Sequence, residues 1–120
     1  MLQKILLVED DATIRNLLST LLKLEGYNPI LYQESRDHSI LDTLHNELPD
    51  AVILDVHLKY ANGLEILRQV RQINTFDTVI IILTSGLDYR AQCREMGGNG
   101  FLQKPYMPDE LLNFLKENLP

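Results

Sequence analysis

The chain has 120 residues, 45% hydrophobic and 23% charged. That is the size of one globular domain, able to bury roughly two-thirds of its unfolded surface without a disulfide or metal staple. Seventeen acidic against eleven basic residues give a net charge of −6, which suits a cation or a basic partner surface and gives no pull toward nucleic acid or anionic lipid.

Short apolar runs then alternate with helix-period segments, five times over. Ile5–Val8 predicts a buried first strand, and Ile14, Leu17, Leu18, Leu21 and Leu22 predict a helix that Gly26 ends. Ile30–Tyr32, after Pro29, is a weaker second strand. Ser35 is the expected N-cap of a second helix with Ile40, Leu41, Leu44 and Leu48 inward and Pro49 as its stop. Ala51–Leu54 is the third strand and ends on Asp55. Asn62-Gly63 turns into a helix with Ile66, Leu67, Val70 and Ile73 on its apolar face. Val79–Leu83 is the fourth strand and the longest apolar run, too short to cross a bilayer. Tyr89, Cys93 and Met96 mark a short fourth helix, closed by Gly97-Gly98-Asn99-Gly100. Phe101–Gln103 is the fifth strand, and Pro108 opens a last helix with Leu111, Leu112, Leu115 and Leu119 inward.

This alternation predicts an α/β fold with a parallel sheet covered on both faces and right-handed crossovers. Residues 1–120 read as one domain, without repeats or an internal linker. The lone Cys93 cannot form an internal disulfide, and Met1–Lys4 opens no signal-peptide pattern, so a soluble, cytoplasmic protein with no membrane association is expected.

In an open parallel sheet, ligands bind at the carboxyl ends of the strands. Glu9, Asp10 and Asp11 follow the first strand, Asp55 the third, Thr84-Ser85 the fourth and Lys104-Pro105 the fifth. If the first and third strands are neighbours, three or four carboxylates share one pocket, with a hydroxyl and an ammonium on its far side. Clustered carboxylates repel one another, and a divalent cation relieves that repulsion. Oxygen-only ligands on a partly open site suit Mg²⁺. One carboxylate can then act as a nucleophile, and phosphoryl transfer needs little beyond positioning, a metal and a cation. Asp55 is the candidate nucleophile, Glu9 and Asp10 the metal carboxylates, Lys104 the charge neutraliser and Thr84 a hydrogen-bond donor to the phosphoryl oxygen. Asp11 reads equally well as a helix N-cap.

The stretch Leu6-Leu7-Val8-Glu9-Asp10-Asp11, the strand end Ile53-Leu54-Asp55, Leu83-Thr84-Ser85 and Lys104-Pro105-Tyr106 resemble, in order and over essentially the whole chain, the receiver domain of two-component response regulators. The resemblance implies a doubly wound (βα)5 three-layer sandwich, flavodoxin-like, with strand order 2-1-3-4-5. It implies that Asp55 accepts a phosphoryl group from a phosphohistidine on a sensor histidine kinase or phosphotransfer protein. Glu9, Asp10, Asp55 and the backbone carbonyl of His57 would coordinate Mg²⁺. Thr84 and Phe101 would form a coupled switch that remodels the fourth helix, fifth strand and fifth helix, a surface that also serves homodimers in this family. The Lys104-Pro105 bond would be cis. His57 and Gly86 would line the path of the hydrolytic water and set the lifetime of the aspartyl phosphate. Such a domain switches rather than turns over a metabolite, and it does not itself bind nucleic acid.

Three departures stand out. Lys59 takes the place of a usual proline, Asn62 that of an acidic residue, and the chain between Thr84 and Lys104 is about two residues short, so a short or displaced fourth helix is expected. These leave a rival: a degenerate receiver that binds partners without being phosphorylated. A Mg²⁺-dependent phosphohydrolase would need a substrate pocket and cap for which there is little room. A flavin protein would need a phosphate-cradling loop where the acids stand.

Overall fold

A computed structural model describes residues 2–33 and 39–120. The five strands are β1 (Lys4–Val8), β2 (Asn28–Leu31), β3 (Ala51–Asp55), β4 (Ile80–Ser85) and β5 (Gly100–Gln103). The helices between and after them are α1 (Ala12–Leu24), α2 (Ile40–Glu47), α3 (Gly63–Val70), α4 (Arg90–Glu95) and α5 (Pro108–Asn118), with a 3₁₀ turn at Asn74–Phe76. All strand pairs are parallel and the order is β2-β1-β3-β4-β5, as the resemblance implied.

Alternation along the strands builds two cores. Leu6, Val8, Val52, Leu54, Ile81 and Leu83 face α2, α3 and α4, where they meet Ile40, Leu44, Leu67 and Val70. Ile5, Leu7, Ala51, Ile53 and Ile82 face the other way, against Leu18 and Leu22 of α1 and Leu111, Leu112 and Leu115 of α5. A strand buried on both faces has no polar positions to show a period of two. That is why Ile5–Val8 and Ala51–Leu54 read as unbroken apolar runs.

The boundaries moved where local chemistry decides them. Pro29 lies inside β2, opposite Ile5. The strand is at the edge of the sheet, where a missing N–H is tolerated. Tyr32 follows the strand, though its N–H still reaches the Leu7 carbonyl at 3.0 Å. Val79 precedes β4, which instead runs on through Thr84 and Ser85. Ser39 caps α2 by accepting from the Asp42 N–H at 3.1 Å. Ser35, expected in that role, lies outside the described residues, as does His38. His45, expected to be merely solvated, is exposed but tilts against the Phe76 ring at 4.9 Å. The fourth helix is short, six residues, with no side-chain cap.

Gly63 and Gly100 are among the glycines that space imposes. A Cβ on Gly63 would collide with the Asp55 carbonyl oxygen, because the first turn of α3 packs directly behind the end of β3. A Cβ on Gly100 would collide with the Phe114 ring.

Candidate functional site

β1 and β3 are hydrogen-bonded neighbours, so the residues that end them converge at the carboxyl edge of the sheet. Glu9 is 5% exposed and Asp55 6%. Between them stands Lys104, delivered from the end of β5. Its Nζ donates to Glu9 Oε1 at 2.7 Å and to Asp55 Oδ2 at 3.1 Å. The Lys104-Pro105 peptide is cis, and the Lys104 N–H is fixed by the Ser85 carbonyl at 2.7 Å.

Glu9 is held on every side. Its second oxygen accepts from the Asp11 N–H at 3.2 Å, and its backbone carbonyl accepts from the Arg15 guanidinium at 3.1 Å. Sequence reasoning missed Arg15. Its one signal is its place a helical turn after Asp11. Asp11 caps α1 by accepting from the Ile14 N–H at 3.1 Å. Asp10 is exposed and lines a cavity of about 370 Å³ with Glu9, Arg15, Gln33 and Lys59.

Asp55 pairs in register with Thr84 across β3 and β4, so the buried Thr84 stands next to the carboxylate. The His57 N–H points at Asp55 Oδ1 over a long 3.4 Å. The loop after Asp55 folds back on itself: His57 bridges Asn62, and the Asn62 side chain caps α3 by accepting from the Leu64 and Glu65 N–H groups at 2.9 and 3.3 Å. The expected switch aromatic, Phe101, is half-buried on β5 and packs on the core beside Tyr89 and Met96.

The electrostatics show excess negative charge. Burial raises the Asp55 carboxyl from 3.8 to about 6; the neighbouring Glu9 pushes the same way, and Lys104 offsets only part of this. Burial alone would lower the Lys104 ammonium, but its bonds to Glu9 and then Asp55 outweigh that and raise it. Burial also pushes the Tyr106 phenol up to about 12, with the charges of Glu9 and Asp55 adding to it.

One ammonium shared by two buried carboxylates, with a third carboxylate on the rim, fits a hard divalent cation in kind. Among the described residues no three such ligands already converge on one point; Glu9 and Asp55 come together, and Asp10 stands apart. The arrangement offers a buried carboxylate nucleophile, an adjacent hydroxyl and a cation that can follow a transferred charge.

A profile of the response regulator receiver domain matches residues 5–116. The chain belongs to that family. It is 35% identical over 119 residues to the sporulation initiation phosphotransferase F of Bacillus subtilis, covering 98% of this chain and 94% of that protein. It is 36% identical over 111 residues to the response regulator MprA of Mycolicibacterium vanbaalenii, covering 91% of this chain but 47% of the relative. The chain thus spans about half the length of several curated relatives it matches. Among solved structures, the Vibrio cholerae chemotaxis response regulator CheY4 superposes with a TM-score of 0.87 at 25% identity, covering 99% of this chain and 100% of that one. The receiver domain of the Pseudomonas aeruginosa sensor histidine kinase PA1611, solved with magnesium in its active-site cleft, gives 0.83 at 26% identity and 98% coverage of both chains. The sheet order and the helices are those of a two-component receiver domain, a signalling switch.

Proposed function

We propose that residues 1–120 form a phosphoacceptor domain in which Asp55 takes a phosphoryl group from a phosphohistidine of a sensor histidine kinase or phosphotransfer protein. The observation that carries this reading is the Lys104 ammonium bridging Glu9 and Asp55 at the carboxyl edge of the sheet. In the transfer, an Asp55 carboxylate oxygen bonds to phosphorus, the histidine N–P bond breaks, and the electron pair returns to the imidazole. Lys104 follows the charge onto the phosphoryl oxygens, and the Thr84 hydroxyl donates to one of them.

Glu9, Asp10, Asp55 and the His57 backbone carbonyl would hold Mg²⁺. The ion, when bound, neutralises the carboxylates and the incoming phosphoryl charge. Asp55 then exchanges one interaction with Lys104 for several around a dianion, and Thr84 and Phe101 relay the change to the surface of α4, β5 and α5. That surface is the proposed output face, including self-association.

The entry side is apolar. Ile14, Leu17, Leu18, Pro105, Tyr106 and Pro108 line a groove of about 510 Å³ that abuts Lys104. Leu17 is 54% exposed and Met107 66%, a surface suited to a helical partner that presents its histidine over the acids. Among the described residues no helix is long and apolar enough to cross a membrane, and a cytoplasmic site of action follows from the proposed kinase partner.

The reading is tested by incubation with Mg²⁺ and acetyl phosphate, followed by intact mass. Wild type is expected to gain about 80 Da, and Asp55→Asn to gain nothing. The absence of an adduct on wild type would favour a receiver that binds partners without phosphorylation.

A further inference from the structure

We propose that Tyr89 governs water access to the acceptor, through a bridge to His57 that straps the β4–α4 loop to the β3–α3 loop. The inference rests on Asp55 being the phosphoacceptor. Asp55 and Thr84 are register partners, so the two loops leave adjacent strands side by side. A contact between the loops therefore spans the ends of those strands.

That contact is present. The Tyr89 hydroxyl lies 3.3 Å from His57 Nε2, with the donor set by the imidazole tautomer. The two rings are 5.7 Å apart, tilted by 58°. His57 is tied to the acceptor from its other side by the N–H that points at Asp55 Oδ1. Gly86 supplies no cover. It is exposed, and a Cβ built on it meets nothing within 4 Å. Tyr89, three residues further along, carries the side chain that reaches across to His57.

Tyr89 is well placed to hold it. It is half-buried against the core and immediately precedes the first turn of α4. Its neighbour Arg90 lies over the Phe101 ring at 5.5 Å from the centroid. The short α4 brings one side chain to the acceptor loop and the next to the proposed switch aromatic.

In hydrolysis, a water oxygen attacks phosphorus opposite the Asp55 Oδ–P bond. That bond breaks, Asp55 leaves as a carboxylate, and both water protons end on dihydrogen phosphate. The water must arrive from the solvent side of the strand ends, where the strap stands. Closed, the strap narrows that approach and lengthens the life of the phosphoryl group.

The test uses the whole chain charged with acetyl phosphate and Mg²⁺, freed of donor, and followed by intact mass as the adduct decays. Loss of the adduct should quicken about threefold in Tyr89→Phe, which keeps the ring and loses the hydrogen bond, and about tenfold in Tyr89→Ala. Adding Tyr89→Phe to His57→Ala should quicken decay no further, since both remove one bridge. Additive effects would mean no shared bridge. A decay rate unchanged or slowed in Tyr89→Ala overturns the strap while leaving Asp55 as acceptor. A wild-type chain that takes no adduct overturns both. A merely structural Tyr89 would lower the thermal midpoint and leave the decay rate alone.

Discussion

Lys104 and Arg71 are both half-buried cations, and their partners differ in kind. Lys104 serves two carboxylates, Glu9 and Asp55. Arg71, at the C-cap of α3, serves neutral oxygens: the carbonyls of Gly97, Phe76 and Val79 at 2.9, 2.8 and 2.8 Å, and the Asn99 side chain at 2.8 Å. Burial lowers the Arg71 guanidinium, whereas the acids raise Lys104. Arg71 uses four of its five N–H donors on oxygens from three stretches of chain, so it fastens α3 to the 3₁₀ turn, to the residue before β4 and to the α4–β5 turn. Lys104 is left with partners whose charge exceeds its own, so it can turn to a new anion. A cation poised for function differs from a structural one by the charge still unanswered around it.

Removing each should therefore fail differently. Arg71→Ala is expected to cost about 3 kcal/mol, because two part-buried carbonyls, the exposed Gly97 carbonyl and an amide oxygen lose a charge-assisted donor together. That is a fall of roughly 10 °C in the thermal midpoint. Below that midpoint the variant should still take the phosphoryl adduct at the wild-type rate. Loss of the adduct in a folded Arg71→Ala chain would break the distinction.

The acid site makes the opposite prediction. A folded-state Asp55 carboxyl near 6, against an ordinary 3.8, means that the folded state holds its proton more tightly than the unfolded state between those values. Stability then falls as pH rises through that window and levels off above about 6. Asp55→Asn should remove this dependence. It should be more stable than wild type at pH 7 by on the order of 2 kcal/mol, with the two chains converging near pH 4. Thermal midpoints across pH 4–8 check it. Equal midpoints at pH 7 would mean that Lys104 already answers the charge of both acids.

The same contrast explains what the sequence could tell. Each acid-site residue ends a strand, and strands buried on both faces announce themselves as apolar runs. The placing of Glu9, Asp55, Thr84 and Lys104 at strand ends was therefore legible from the residues in order, and so was a parallel sheet, while the strand order that brings them together came from the resemblance to receiver domains. Neighbouring acids were not separable that way. Asp10 and Asp11 are both exposed, but Asp11 caps α1 through the Ile14 N–H while Asp10 lines the cavity beside Glu9, a choice made by backbone geometry at the helix start. Arg71 left no trace, because its carbonyl partners carry no residue identity and a basic residue at a helix C-terminus is ordinary. Tyr89 and His57 lie 32 positions apart, and only the parallel pairing of β3 and β4 brings them together. The extension of β4 through Ser85 was hidden because hydroxyls at a strand end look like a turn.

The smallest expected effect sharpens the structural half of the comparison. Asn99 Oδ1 accepts from Arg71 and also from the Ile81 N–H, both at 2.8 Å. Asn99→Ala takes one acceptor of several from Arg71 and leaves the part-buried Ile81 N–H without its side-chain partner. The cost should be about 1 kcal/mol, since Arg71 keeps its three carbonyls. In an Arg71→Ala background the same change should cost less, because one of the two bonds to Asn99 is already gone. Denaturant unfolding of the four chains measures that difference. Full additivity would show that Asn99 acts on β4 alone and that Arg71 draws its hold from the carbonyls.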